Sequence, residues 1–167
     1  GIVCTTSKID KNNVIDYLNF PERIYPVGRL DKESTGLLLL TNNGQLMDDV
    51  LRGSNYHEKE YIVHVNKPIT DSVLQAMAQG VPILDTITRP CKIRRMGKDC
   101  FYITLTQGLN RQIRRMCEYF DYRVTSLKRI RIMNIELGSL PVGKWRELTP
   151  SEIKTLKNLA QNKGEAE

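Results

Sequence analysis

Residues 37–40 are four consecutive leucines, closed by Thr41 and preceded by a loop that carries Arg29, Asp31, Lys32 and Glu33 between Gly28 and Gly36. An apolar run without polar alternation reads as a strand covered on both faces, which demands a packed layer on either side of it. The charged tetrad is thereby fixed at the mouth of a buried strand. Gly28 and Gly36 allow the tight or left-handed backbone through which the chain turns into that strand. A carboxylate at such a place is either held for chemistry or belongs to a solvated turn, and for a lone aspartate near glycine the turn role is the common one.

The rest of the chain supplies helices and strands without a regular βαβ beat. A short helix is expected over 12–19, ended by Phe20-Pro21, and Asn43-Gly44 leads into a second through Leu46, Met47, Val50 and Leu51. Residues 60–65 alternate, with Tyr61, Val63 and Val65 on one face and Ile62 and His64 on the other. Val73, Leu74 and Met77 form the stripe of a helix over 70–79 that Gly80 stops. Strands follow over 84–95 and 101–106, parted by Gly97-Lys98-Asp99. Asn110 is the expected cap of a helix whose stripe is Ile113, Met116, Cys117 and Phe120. Residues 124–135 return as strand. Thr149-Pro150-Ser151-Glu152 is a capping box opening a last helix to about residue 162. This order predicts an α+β fold with a mainly antiparallel sheet flanked by helices. Residues 1–4 read as a strand that starts abruptly, as in a domain excised from a longer protein.

With 167 residues, 40% of them hydrophobic, the chain builds one ordinary core or a core with a lobe. No run of about eighteen apolar residues is present to span a membrane. Cys4, Cys91, Cys100 and Cys117 form no C-x-x-C pair, and His57 and His64 flank none of them, so neither a zinc site nor a metal-dependent hydrolase is expected. Reduced thiols and a cytoplasmic location fit this usage. Charge is more telling. Residues 89–131 hold twelve Lys and Arg against three acids, a surplus of nine, so the remainder is net −3 in a chain of +6 overall. A segment of this kind suits a polyanion, nucleic acid above all, or is a solvated basic surface.

Arg111, Arg114 and Arg115 share the polar side of the expected helix near its N-terminal end, where free backbone N–H groups add to their pull on an anion. That anion is a phosphate or a protein carboxylate. If Arg114 met Asp31, the pair would fix an ionised aspartate usable as a nucleophile. Tyr61 is by position a packing residue, or an aromatic that stacks on a base lifted out of an RNA helix.

Gly28-Arg29-Leu30-Asp31, followed by Thr35 through Gly44, resembles the signature loop of the pseudouridine synthases. Lys59-Glu60-Tyr61-Ile62-Val63 and the run from Gln107 to Met116 resemble two further blocks of that family, in the expected order. The branch most resembled is the RsuA/RluB/RluF group acting on ribosomal RNA, and within it the type that modifies the large subunit. The resemblance implies that family's fold, with a central active-site cleft, and isomerisation of a uridine in rRNA, 23S rRNA being the expected substrate and a tRNA a further candidate. It implies Asp31 as nucleophile, Tyr61 stacking on the uracil and assisting proton transfer, and Arg114 pairing with the aspartate. Arg29 would fill the space left by the flipped base, and Leu105 would line the pocket. Arg111 and Arg115 are expected to contact the substrate. No cofactor or metal is implied, and a monomer is expected. The chain is then the catalytic domain, residues 1–167, without the S4-type RNA-binding domain usual in the branch. The rival is an RNA-binding domain without catalysis, using the same basic groove.

Overall fold

The computed structural model describes residue 2, residue 4, 13–52 and 56–161. The strand expected over 1–4 and the outer ends of the first and last helices lie wholly or partly outside the described residues.

The first half is made of short elements. They are α1 (Val14–Leu18), β1 (Tyr25–Pro26), β2 (Thr35–Gly36), β3 (Leu40–Thr41) and α2 (Gly44–Leu51). The Asn13 side chain caps α1 by accepting from the Asp16 amide, and Asn43 caps α2 by accepting from the Leu46 amide. Next come β4 (Lys59–Val65), α3 (Asp71–Gln79), β5 (Pro82–Ile83), β6 (Thr86–Ile87), β7 (Lys92–Arg95) and β8 (Cys100–Leu105). The chain closes through α4 (Gln112–Tyr119), β9 (Val124–Ile132), β10 (Ile135–Glu136) and α5 (Pro150–Gln161). The expected capping box opens α5: the Thr149 amide donates to Glu152 Oε1 at 2.9 Å and the Glu152 amide to Thr149 Oγ1 at 3.1 Å.

The main sheet runs β10-β9-β4-β8-β7, all antiparallel, with β2 lying parallel on β9. Register pairs Lys59 with Leu105, Tyr61 with Ile103 and Val63 with Phe101, so these six side chains share one face. That face buries Val63, Phe101, Ile103, Leu105 and Leu127 against Leu74 and Met77 of α3 and Ile113, Met116 and Cys117 of α4. Each such fully buried side chain contributes about 1.5–3 kcal/mol by leaving water. The opposite face carries Glu60, His64, Tyr102, Thr104, Lys92 and Arg94 and stays half-buried to exposed, as one face of an antiparallel sheet can. A second core joins Val27, Leu37, Leu39 and Val50 to Ile132, Ile135, Leu156 and Ala160. Among the described residues no helix is long and apolar enough to cross a membrane.

Four expectations need correction. The leucine run is not a strand buried on both faces: Leu37 and Leu39 are buried, while Leu38 and Leu40 are only half-buried. Its backbone changes partner midway. The Leu37 amide donates to the Arg129 carbonyl of β9, whereas Leu39 accepts from Val27 at the end of β1. Residues 84–95 are not one strand, because Leu84 and Asp85 have φ of 49° and 59° and make the two-residue hairpin turn between β5 and β6. Residues 124–135 break after Ile132, where Met133 at φ 53° turns the chain back into β10. Asn110 does not cap α4. Arg111, at φ 51°, is the cap residue and its side chain makes no capping bond, while Gln112 Oε1 accepts from the Leu109 amide.

Candidate active site

The loop from Gly28 to Ser34 is held by both of its ends. Before it, the Val27 amide donates to the Leu39 carbonyl at 2.7 Å. After it, Thr35 and Gly36 pair with Lys128 and Arg129 of β9. Gly36 sits at φ +111°, and a Cβ there would overlap the carbonyl and amide of Arg129, so no other residue permits this approach. Inside the loop the Ser34 amide donates to the Asp31 carbonyl at 2.9 Å, closing a turn that lifts the Asp31 side chain toward α4.

Two arginines at the start of α4 meet it there. Arg114 Nε lies 3.6 Å from Asp31 Oδ2, and Arg111 Nη1 lies 3.9 Å from the same oxygen. The Arg114 side chain is 11% exposed and that of Asp31 31%, so the pair stands at the edge of solvent. Arg114 is anchored to the same loop by its Nη2, which donates to Ser34 Oγ at 3.0 Å. Its Nε is buried without a hydrogen-bond partner. Among the described residues no hydrogen bond occupies the Asp31 carboxylate. Asp31 is thus held by charge while its lone pairs stay free to attack an electrophile. Arg111 is shared, its Nη1 reaching Glu33 Oε2 at 3.3 Å. A bond from its own backbone amide, and then the Arg111 guanidinium, hold the Glu33 carboxyl below its ordinary value.

Tyr61 stands on the sheet face that α4 covers, partly buried against the same apolar cluster. It pairs with Ile103 on one side and Arg129 on the other, and Arg129 pairs in turn with Gly36. Leu105 is buried with Ile113 in that cluster, opposite Lys59. Sequence-distant segments are thus gathered at one place: the Asp31 loop, β4, β8, β9 and α4.

Two expected site residues are not drawn into this group. Arg29 is exposed, with no ion pair to Asp31 among the described residues. Arg115 folds back on its own turn, donating from Nε to the Asn110 carbonyl and from Nη2 to Asn110 Oδ1, both at 2.9 Å. The basic segment 89–131 does not form one patch either. Lys92 and Arg94 lie on the sheet face opposite Arg114, and Arg95 is tied to Asp71 and the Ile69 carbonyl, a structural role.

Three residues of the neighbourhood escaped the sequence reading. Ser34 gave no signal, being a small polar residue in a loop. Lys59 was read only as the first residue of the motif block around Tyr61, with no role of its own. Arg129 was counted with the basic surface, yet it is 3% exposed, its Nε donating to the Leu37 carbonyl at 2.8 Å. The period-two spacing from Leu127 was the one available clue. Burial, and then the Arg129 charge, push the Lys59 ammonium below its ordinary pKa. Burial likewise pushes the Cys91 and Cys117 thiols up to about 11 and about 12, which keeps both protonated and unreactive at neutral pH. Among the described residues no group of three or more His, Cys, Asp or Glu is placed to hold a metal ion.

The sequence model of the family described as RNA pseudouridylate synthase matches residues 1–119, which include the Asp31 loop, Tyr61 and the start of α4. The chain belongs to that family. It is 53% identical over 161 residues to the dual-specificity RNA pseudouridine synthase RluF of Salmonella typhi, covering 96% of this chain and 56% of that protein. It is 34% identical to the ribosomal large subunit pseudouridine synthase B of Bacillus subtilis (strain 168), covering 96% of this chain and 69% of the relative. A solved structure titled as the crystal structure of pseudouridylate synthase superposes with a TM-score of 0.85 at 31% identity, over 93% of this chain and 69% of that one. The chain spans about half the length (56%) of the first of these relatives.

Within a pseudouridylate synthase, the Asp31–Arg114 pair predicts a graded response. Were Asp31 the reacting group, Arg114→Ala would lower turnover by roughly 10²–10³-fold through loss of a charged donor beside it. Arg114→Lys should recover about a tenth of wild-type activity or more, since a point charge still faces Asp31 without the second bond to Ser34. Single-turnover rates of both variants check this, and equal rates for Lys and Ala would show that charge beside Asp31 is irrelevant.

Proposed function

We propose that the protein isomerises a specific uridine to pseudouridine in ribosomal RNA, with 23S rRNA as the substrate, and that the whole chain serves as the catalytic domain. The N1–C1′ glycosidic bond breaks, the uracil turns within the site, and C5 bonds to C1′. C5 then loses its proton and N1 gains one, so atoms and electrons balance without a co-reactant. Asp31 attacks the nucleotide, Arg114 positions it, and Tyr61 stacks on the extruded ring, which has left its helix for the site. Leu105 lines the floor of the pocket. Arg111, Arg115 and the exposed Arg29 contact the RNA backbone, giving salt-dependent affinity.

The observation that carries this reading is the carboxylate of Asp31 held 3.6 Å from Arg114 of a separate segment, with no hydrogen bond consuming its oxygens among the described residues. Identities of 53% and 34% to named RNA pseudouridine synthases support the reaction class. The dual specificity in the name of the Salmonella typhi relative supports a second RNA, for which a tRNA is our candidate. The protein would act as a monomer in the cytoplasm.

Mapping pseudouridine in 23S rRNA and tRNA from cells with and without the protein tests this directly. At least one site should vanish with the protein and return when the full chain is restored. Identical maps, together with RNA binding by the purified protein, would leave an RNA-binding protein without catalysis in place of this reading.

A further inference from the structure

Among the described residues, three half-buried arginines have acidic partners: Arg131 faces Glu58 and Glu60, Arg114 faces Asp31, and Arg111 faces Asp31 and Glu33, while half-buried Arg115 is satisfied by Asn110. Lys59 and Arg129 are different. Arg129 is 3% exposed and its Nη2 is buried with no hydrogen-bond partner, although its Nε is satisfied by Leu37. Lys59 is half-buried, and no carboxylate or hydrogen-bond acceptor engages its ammonium among the described residues. The charge it feels is Arg129 itself, a second cation. Two neighbouring cations withdrawn from water without a counter-charge are costly, and the cost is met when a negative group enters between them.

Register places them at the candidate site. Lys59 precedes Tyr61 by two residues on β4 and shares its face, and Arg129 stands directly opposite Tyr61 on β9. Leu105 faces Lys59 from β8, and Gly36, at the exit of the Asp31 loop, faces Arg129 from β2. The pair therefore flanks the aromatic ring proposed to stack on the base. It is also more deeply buried than the exposed Arg29, which suits the edge of a base better than a phosphate at the rim.

Resting on the isomerase reading, we infer that Lys59 Nζ and Arg129 Nη2 form an anion-receiving pair that takes up the negative charge collected on a carbonyl oxygen of the uracil ring during reaction. Whether Asp31 adds to C6, attacks C1′ or promotes elimination across the sugar, an electron pair moves into the ring and is delocalised onto O2 or O4. Two preset N–H donors there stabilise that charge without reorganising. Lys59 is then a catalytic residue, and Arg129 both a donor and the clasp on the Asp31 loop.

The test compares Lys59→Met, Lys59→Gln and Lys59→Arg in the full chain, on substrate RNA carrying uridine or 5-fluorouridine at the target position. The fluorinated ring bears negative charge more readily, so it depends less on the pair. Lys59→Met and Lys59→Gln should each slow single-turnover consumption of the uridine RNA about 100-fold with Kd within about two-fold, while Lys59→Arg stays within about ten-fold of wild type. On 5-fluorouridine RNA the same deficits should shrink by about ten-fold. Equal deficits on both RNAs, with weaker binding and a salt slope reduced by about one, would overturn the inference in favour of a phosphate contact. Unchanged rates in a folded Gln variant would also overturn it. If the wild type turns over no uridine at all, it is the isomerase reading that fails.

Discussion

Asp31→Asn should remove pseudouridine formation if Asp31 is the nucleophile we propose, with single-turnover rates falling by about 10⁴-fold or more, as when the nucleophile of a covalent catalyst is lost. The amide is nearly isosteric, so the turn closed by Ser34 onto the Asp31 carbonyl and the contact distances to Arg114 have no steric reason to change. What disappears is the negative charge and the free lone pairs. RNA affinity should stay within a few-fold, because the cations proposed to grip phosphate are untouched. A fall of only a few-fold in a tritium-release assay would take Asp31 out of its role. Tighter RNA binding by the variant would be a further sign that the wild-type carboxylate repels phosphate.

The second large effect comes from a residue outside the proposed catalytic set. Gly36→Ala places a methyl group against the backbone of Arg129 and forces φ +111° on a residue with a side chain. Strain and lost strand pairing together should cost about 3 kcal/mol. For a chain of this size that lowers the thermal midpoint by roughly 6–12 °C. Because β2 is the exit of the Asp31 loop, any relief of the clash moves the carboxylate relative to Arg114. A displacement on the order of 1 Å costs about 10²-fold in rate, so activity should fall well below what unfolding alone explains. Gly44→Ala is the matched control: nothing lies within 4 Å of the added methyl, and the residue opens α2. It should melt at or slightly above the wild-type temperature, since alanine favours the helix. If Gly36→Ala melts with the wild type and keeps its rate, the clasp of β2 on β9 does not position the site.

These two residues differ in how readable they were. Asp31 stood out because a charged tetrad between glycines is conspicuous, and three motif blocks tied it to a family. Gly36 was legible only as a permissive turn residue. That its missing side chain makes room for the backbone of Arg129, ninety-odd positions later, no local pattern could say. The leucine run misled for a related reason. With four identical side chains the buried Leu37 and Leu39 look the same as the half-buried Leu38 and Leu40, so periodicity carries no information. Where residues differ in polarity, as in Tyr61 to Val65 or Ile113 to Cys117, strand and helix faces were legible. The capping box at Thr149 was equally plain, because both of its bonds join residues three positions apart.

The sequence by itself determined the elements with a polar side, the α+β class and the family, and it singled out the candidate residues on which the proposed chemistry rests. Each of these depends on spacing within a few positions or on motif identity. Only the tertiary structure decided which charges meet. It set Arg114 against Asp31, turned Arg115 back on Asn110, and left Lys59 and Arg129 on one sheet face without an acid among the described residues. The physical reason is that a side chain's type fixes what it can bond, while its partner is fixed by packing. The sheet register that brings residues 36, 61 and 129 into one row is a property of the whole folded chain.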